Sequence, residues 1–230
     1  YYVYKDDLLI FDFNNFWQSS RDIMHVGLPA ILSNIIGPVS MSVITRLLAG
    51  HGAVVVAGFS VASRIETMFA MVIWALSMSV APFVGQNWGA KYFKRVTRSL
   101  RIGNLFALAW GVFSYLVLIV LGPFVISLVN SDQAVIDTAT VYLMIVPLGM
   151  GLMGVLSNCM SSFNALGQPG PPFIMSVCQM IFLSIPFAIL GDYLFGYHGI
   201  FAGGVLSILI IALVSYVWLK RNIRFGELQG

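Results

Sequence analysis

Long apolar runs, separated by short polar or basic breaks, fill the chain from residue 22 onward. Each run has about 20 residues or more, enough to cross a hydrocarbon core roughly 30 Å thick. The breaks predict six helices, over residues 22–49, 53–85, 102–128, 133–163, 172–190 and 199–219. None of the runs alternates with period two, as barrel strands would. The expected fold is an all-α membrane protein, a bundle of six transmembrane helices.

Two charges interrupt the second run. Between Ala53 and Ala90 the charged residues are Arg64 and Glu66 alone. At about 1.5 Å per residue, Glu66 falls roughly 18 Å into its helix, close to the bilayer midplane. A charge there costs at least about 2.5 kcal/mol, so it is rarely present without a partner or a task. Arg64 and Glu66 are two apart and point to nearly opposite sides of a helix, so each needs a partner elsewhere. Three roles are open for Glu66: a proton or cation relay, an anchor for a cationic substrate, or one half of a structural ion pair.

Composition agrees with lipid as the main solvent. Hydrophobic residues make up 59% and charged residues 9%, against about 25% charged in soluble domains, and mean hydropathy is +0.90. The net charge of +3 follows topology and does not require a nucleic acid. Lys91, Lys94, Arg95, Arg98 and Arg101 follow the second run, Lys220, Arg221 and Arg224 follow the sixth, and Lys5 and Arg21 precede the first. The alternate connections, at 51–52, 130–132 and 191–198, contain no Lys or Arg. Because positive residues stay inside, both ends are expected in the cytoplasm. Residues 1–20 then read as a cytoplasmic linker, 21–221 as the membrane lobe and 222–230 as a tail. The spacing of Lys91 to Arg101 is helical, giving a basic stripe that either is simply solvated or rests on anionic head groups.

Catalytic signals are missing. There is no Gly-x-Ser-x-Gly, no His-Glu-x-x-His and no phosphate loop. Cys159 and Cys178 fall within spans without metal-ligand spacing. No cofactor is expected. Breaks in the helices are better candidates for function. Pro38, Pro147 and Pro186 each free the carbonyl four residues earlier, at Asn34, Leu143 and Phe182. Membrane helices tolerate this where neighbours or cavity water satisfy the carbonyl. Asn34 with Pro38 therefore suits a hinge lining an aqueous cavity, and Asn158 and Gln179 add polar groups in the fourth and fifth runs. Ordinary kinking and packing is the competing explanation. Gly199, Gly203 and Ser207 show four-residue spacing typical of a close-packing face. Met68, Met71 and Met78, with Phe69 and Trp74, suit either a surface for varied ligands or plain lipid contact.

Several segments together resemble a known family. His25-Val-Gly-Leu-Pro-Ala30, Ser63-Arg-Ile-Glu66, Ala81-Pro-Phe-Val-Gly-Gln-Asn-Trp-Gly-Ala90 and Asn164-Ala-Leu-Gly-Gln-Pro169 look like the carboxy-terminal lobe of multidrug and toxic compound extrusion (MATE) transporters. The resemblance implies helices seven to twelve of a twelve-helix, two-lobed antiporter in a bacterial inner membrane. It implies a missing amino-terminal six-helix lobe as partner, and export of cationic amphipathic compounds in exchange for protons or sodium ions. Arg64 and Glu66 carry over residue by residue as functional candidates. The first run lacks any carboxylate between Met24 and Gly50, which separates it from sodium-coupled members. It is similar instead to the DinF-like branch, whose main coupling carboxylate lies in the other lobe, and protons are the expected coupling ion. The alternatives are a lipid or saccharide-lipid flippase of the same superfamily and, from another class, an intramembrane hydrolase.

Overall fold

A computed structural model describes residues 16–229. Six helices follow one another: α1 Phe16–Ala49, α2 Ala53–Gly89, α3 Phe93–Val129, α4 Gln133–Ala165, α5 Gly170–Phe195 and α6 Tyr197–Gln229. All six expected spans are present as helices. Among the described residues, α2 to α6 each contain a stretch long and apolar enough to cross a membrane, and α1 carries a shorter apolar stretch over Ile35–Ala49.

The helices outrun the spans. At 37 residues, α2 and α3 are each about 55 Å long, well beyond a hydrocarbon core of roughly 30 Å. The basic residues 94–101 therefore belong to the first turns of α3. Only Ala90, Lys91 and Tyr92 link it to α2, with Lys91 at φ 60°. Charge stops the membrane, not the helix. The same holds at the termini. Helix α1 already begins at Phe16, inside the stretch expected as linker, and α6 continues through the expected tail to Gln229. The rest of that linker, 1–15, lies outside the described residues.

Two prolines act as the pattern predicts. Around Pro147 the fourth helix tightens into a 3-10 turn, Val146–Gly149. Ahead of Pro186 the fifth widens into a π-helical segment, Cys178–Ser184. Both shifts re-register the backbone bonds around a missing amide donor.

The core has two parts. One, built from Leu48, Val55, Phe59, Ile73, Tyr142, Leu143, Ile200 and Phe201, lies toward the α1–α2 connection. The other, with Val84, Val96, Leu100, Phe163, Met175 and Leu219, lies toward the basic end. Small residues let the backbones approach. The Gly111 α-carbon faces Gly151 so closely that a Cβ on either glycine would meet backbone of the other helix. The packing face read from Gly199, Gly203 and Ser207 is present. Gly199 abuts Gly191, Gly203 abuts the Phe187 carbonyl, and Ser207 is buried.

Candidate functional site

Glu66 finds its partner on α4. The Tyr142 hydroxyl donates to Glu66 Oε2 at 2.5 Å. The partner is thus a neutral phenol and not the cation of a structural ion pair. Helical periodicity explains the placement. Phe59, Ala62, Ala70 and Ile73 are the buried side of this stretch of α2, and Glu66 shares that side. Tyr142 is itself buried, held edge-on by Phe59 and Phe201 at ring-centroid distances of 5.5 and 5.1 Å. From Phe201 the aromatic contacts continue through Tyr197 to His51. There His51 Nε2 pairs with Asp192 Oδ1 at 2.5 Å, tying the α1–α2 connection to α5. A carboxylate held by one hydroxyl, part-buried under an aromatic cluster, can take up or release a proton or a small cation without breaking an ion pair.

Arg64 lies on the opposite side, as the two-residue spacing requires. It is exposed and makes no ion pair among the described residues. Ser60, Arg64, Thr67, Met71, Trp74 and Met78 recur at three- and four-residue spacing and are all exposed. They form one uncovered stripe on α2. Met78, 78% exposed, ends at a cleft of about 470 Å³ between α2 and α4, lined also by Pro82, Gly85, Ser161 and Asn164. Two of the sequence segments that suggested the family meet there.

The other candidates are not gathered at Glu66. Asn158 is fully buried. Ser77 Oγ donates to its Oδ1 at 3.0 Å, and its Nδ2 donates to Asn104 Oδ1 at 3.1 Å. On α2, Ser77 is eleven residues beyond Glu66 and so roughly 16 Å away along the helix. This amide layer joins α2, α3 and α4 and leaves Asn158 without exposed surface. The reading of Asn158 as a further polar group for an aqueous cavity is corrected: its polar atoms are satisfied by neighbouring helices, which is how a buried amide avoids a large desolvation cost. Gln179 is half-buried within the π-helical segment of α5. Pro38 is exposed on α1, and its carbonyl accepts from the Ser42 hydroxyl at 2.9 Å. The side chain of Asn34 lies outside the described residues. Among the described residues no cluster of His, Cys, Asp or Glu is suited to a metal ion.

Sequence reasoning missed Tyr142, Asn104 and the His51–Asp192 pair. Tyr142 and Asn104 each left a signal, a lone phenol and a lone amide within apolar runs. Neither signal says which helix it faces.

Comparison with known proteins places this geometry. Residues 29–190 match the MatE family. The FAD transporter of Shewanella oneidensis is 28% identical over 211 residues, 92% of this chain and 47% of that protein. The multidrug export protein MepA of Staphylococcus aureus is 24% identical over 207 residues, 87% of this chain and 45% of that protein. The crystal structure of the Vibrio cholerae MATE transporter VcmN in the bent form superposes with a TM-score of 0.89 at 27% identity, covering 98% of this chain and 52% of that one. The chain spans about half the length of these relatives, and its six helices correspond to one lobe, of the carboxy-terminal type. A transporter lobe removes the hydrolase alternative. The chain belongs to the MatE family of multi-pass membrane transporters.

Proposed function

We propose that this lobe works as half of a two-lobed exporter that moves amphipathic compounds out of a bacterial cell in exchange for protons, by alternating access. The observation that carries the reading is the match of nearly the whole chain to about half of VcmN, together with a stripe on α2 that no helix of this lobe covers. Alternating access rocks one repeat against another around a site between them, and one lobe supplies one wall. Protons are favoured over sodium because Glu66 has a hydroxyl as its partner and, among the described residues, belongs to no cluster of three or more His, Cys, Asp or Glu that could hold a metal ion.

Cationic drugs are the substrate class expected from the sequence, and MepA is a multidrug export protein. A second reading has an observation of its own. The stripe carries the cation Arg64 and, about 15 Å further along the same helix, the indole of Trp74, and the FAD transporter is a relative. A guanidinium for phosphate and an indole for stacking suit an anionic dinucleotide better than a cationic dye.

The purified 230-residue chain in proteoliposomes with an imposed pH gradient is expected to exchange neither dye nor flavin, and to gain transport when the amino-terminal lobe is co-expressed. Robust exchange by the chain alone would overturn the half-transporter reading. Faster transport of FAD than of a cationic dye by the two-lobed protein would select the second reading.

Both ends are assigned to the cytoplasm on the distribution of Lys and Arg. In a Cys178→Ser background, where the remaining native thiol, Cys159, is buried, cysteines introduced by His51→Cys and Lys94→Cys are expected to react with membrane-impermeant thiol reagent from opposite sides, position 51 from outside. Reaction of both from one side would reverse the assignment.

A further inference from the structure

The basic ends of α3 and α6 do not close on each other. Between them lies a cavity of about 480 Å³ whose charged lining is Arg101, Lys220 and Arg224. Among the described residues no acidic side chain lines it, and none of the three makes an ion pair. The cavity does not end at the charges. Arg101, Asn104 and Tyr216 also line a second cavity of about 320 Å³, completed by apolar side chains including Leu105, Leu108, Leu152 and Ala212. From Arg101 to Leu108 the groove advances about 10 Å along α3, and from Lys220 to Ala212 about 12 Å along α6. It therefore leads from a cationic mouth at the basic end toward the middle of the membrane. The α3 surface beside it is lipid-facing, with Ile102, Phe106, Val112, Phe113 and Leu116 all exposed.

We propose that this groove binds one anionic phospholipid from the leaflet at the basic end of the lobe, with its phosphate among Arg101, Lys220 and Arg224 and one acyl chain in the apolar slot between α3, α4 and α6. Charge complementarity selects the head group, since basic pockets between helices attract anionic lipid. The slot selects a lipid over a soluble anion, because a free phosphate leaves about ten ångströms of apolar groove unfilled. The site is separate from Glu66 and from the α2 stripe. A bound lipid would bridge α3 and α6 at this end.

The test uses the full-length transporter containing this lobe, in detergent, with phosphatidylglycerol, phosphatidylcholine and glycerol 3-phosphate as probes. Bound lipid is counted by native mass spectrometry, and thermal stability is followed in parallel. Phosphatidylglycerol is expected to bind at least about tenfold more tightly than phosphatidylcholine and to raise the unfolding temperature. The triple variant R101Q/K220Q/R224Q is expected to lose that preference, whereas K91Q/K94Q/R95Q, equally basic residues outside the groove, keeps it. Leu105→Trp, at an exposed position of the slot, fills it and keeps the charges, and is expected to weaken phosphatidylglycerol binding. Equal losses in the two triple variants would reduce the effect to diffuse surface potential and overturn the site. Stabilisation by glycerol 3-phosphate matching that by the lipid, or unchanged lipid binding in Leu105→Trp, would overturn the lipid assignment in favour of a soluble anion.

Discussion

In the two-lobed transporter, Glu66→Gln is expected to insert and purify like the wild type while proton-driven export falls to background. The fold should survive because glutamine keeps the size of Glu66 and its amide oxygen still accepts from the Tyr142 hydroxyl. A neutral hydrogen bond in place of a charged one costs about 1 kcal/mol, small against the helix contacts around it. Export should fail because an amide cannot release and rebind a proton. Tyr142→Phe separates the two roles of the pair. It keeps the ring contacts to Phe59 and Phe201 and removes the only hydrogen bond on the carboxylate among the described residues. Transport should then continue with an altered pH dependence. Export rates at matched expression, measured over a series of imposed pH gradients, check both variants. Wild-type export by Glu66→Gln would make the carboxylate structural, and coupling would then belong to the other lobe.

The sequence was most legible where one residue's own chemistry decides the outcome. Six apolar runs give six helices, because a lipid-exposed backbone must satisfy its hydrogen bonds within the helix. The helix limits were less legible, since hydropathy reports where the membrane ends. Lys94, Arg95, Arg98, Leu100 and Arg101 are good helix formers in water, so α3 starts at Phe93 while its apolar run begins at Ile102. Pro186 announced a disturbance in α5, but its π-helical form depends on how α5 packs against α6. The opposition of Arg64 and Glu66 followed from helical angle alone. Tyr142 as partner did not, because no local rule records which residue of another helix will face a given position. Asn158 shows the same limit from the other side. Its depth and type were plain, and its closure by Ser77 and Asn104 was a tertiary fact.

The largest purely structural effect is expected at the α5–α6 hairpin, from the smallest possible side chain. One residue, Gly196, joins the two helices, with φ 60° and ψ −147°, a region essentially open to glycine alone. So short a link forces the helices together at once. Three residues beyond it Gly199 lies on Gly191, and a Cβ built on either would overlap the backbone carbonyl of the other. Backbone cannot rotate away as a flexible side chain can. Gly199→Ala should therefore splay the hairpin and destabilise the lobe by about 3 kcal/mol, the upper end of ordinary overpacking. On the same helix, Gly204 has nothing within 4 Å of a built Cβ. There the gain in helix propensity, up to about 1 kcal/mol, is unopposed, and Gly204→Ala should be neutral or stabilising. Thermal unfolding of both variants in one detergent, followed by circular dichroism, gives the comparison. Gly199→Ala is expected to unfold at a clearly lower temperature than Gly204→Ala, although the two methyl groups sit five residues apart on one helix. Equal unfolding temperatures would mean that the α5–α6 crossing is looser than its glycines require.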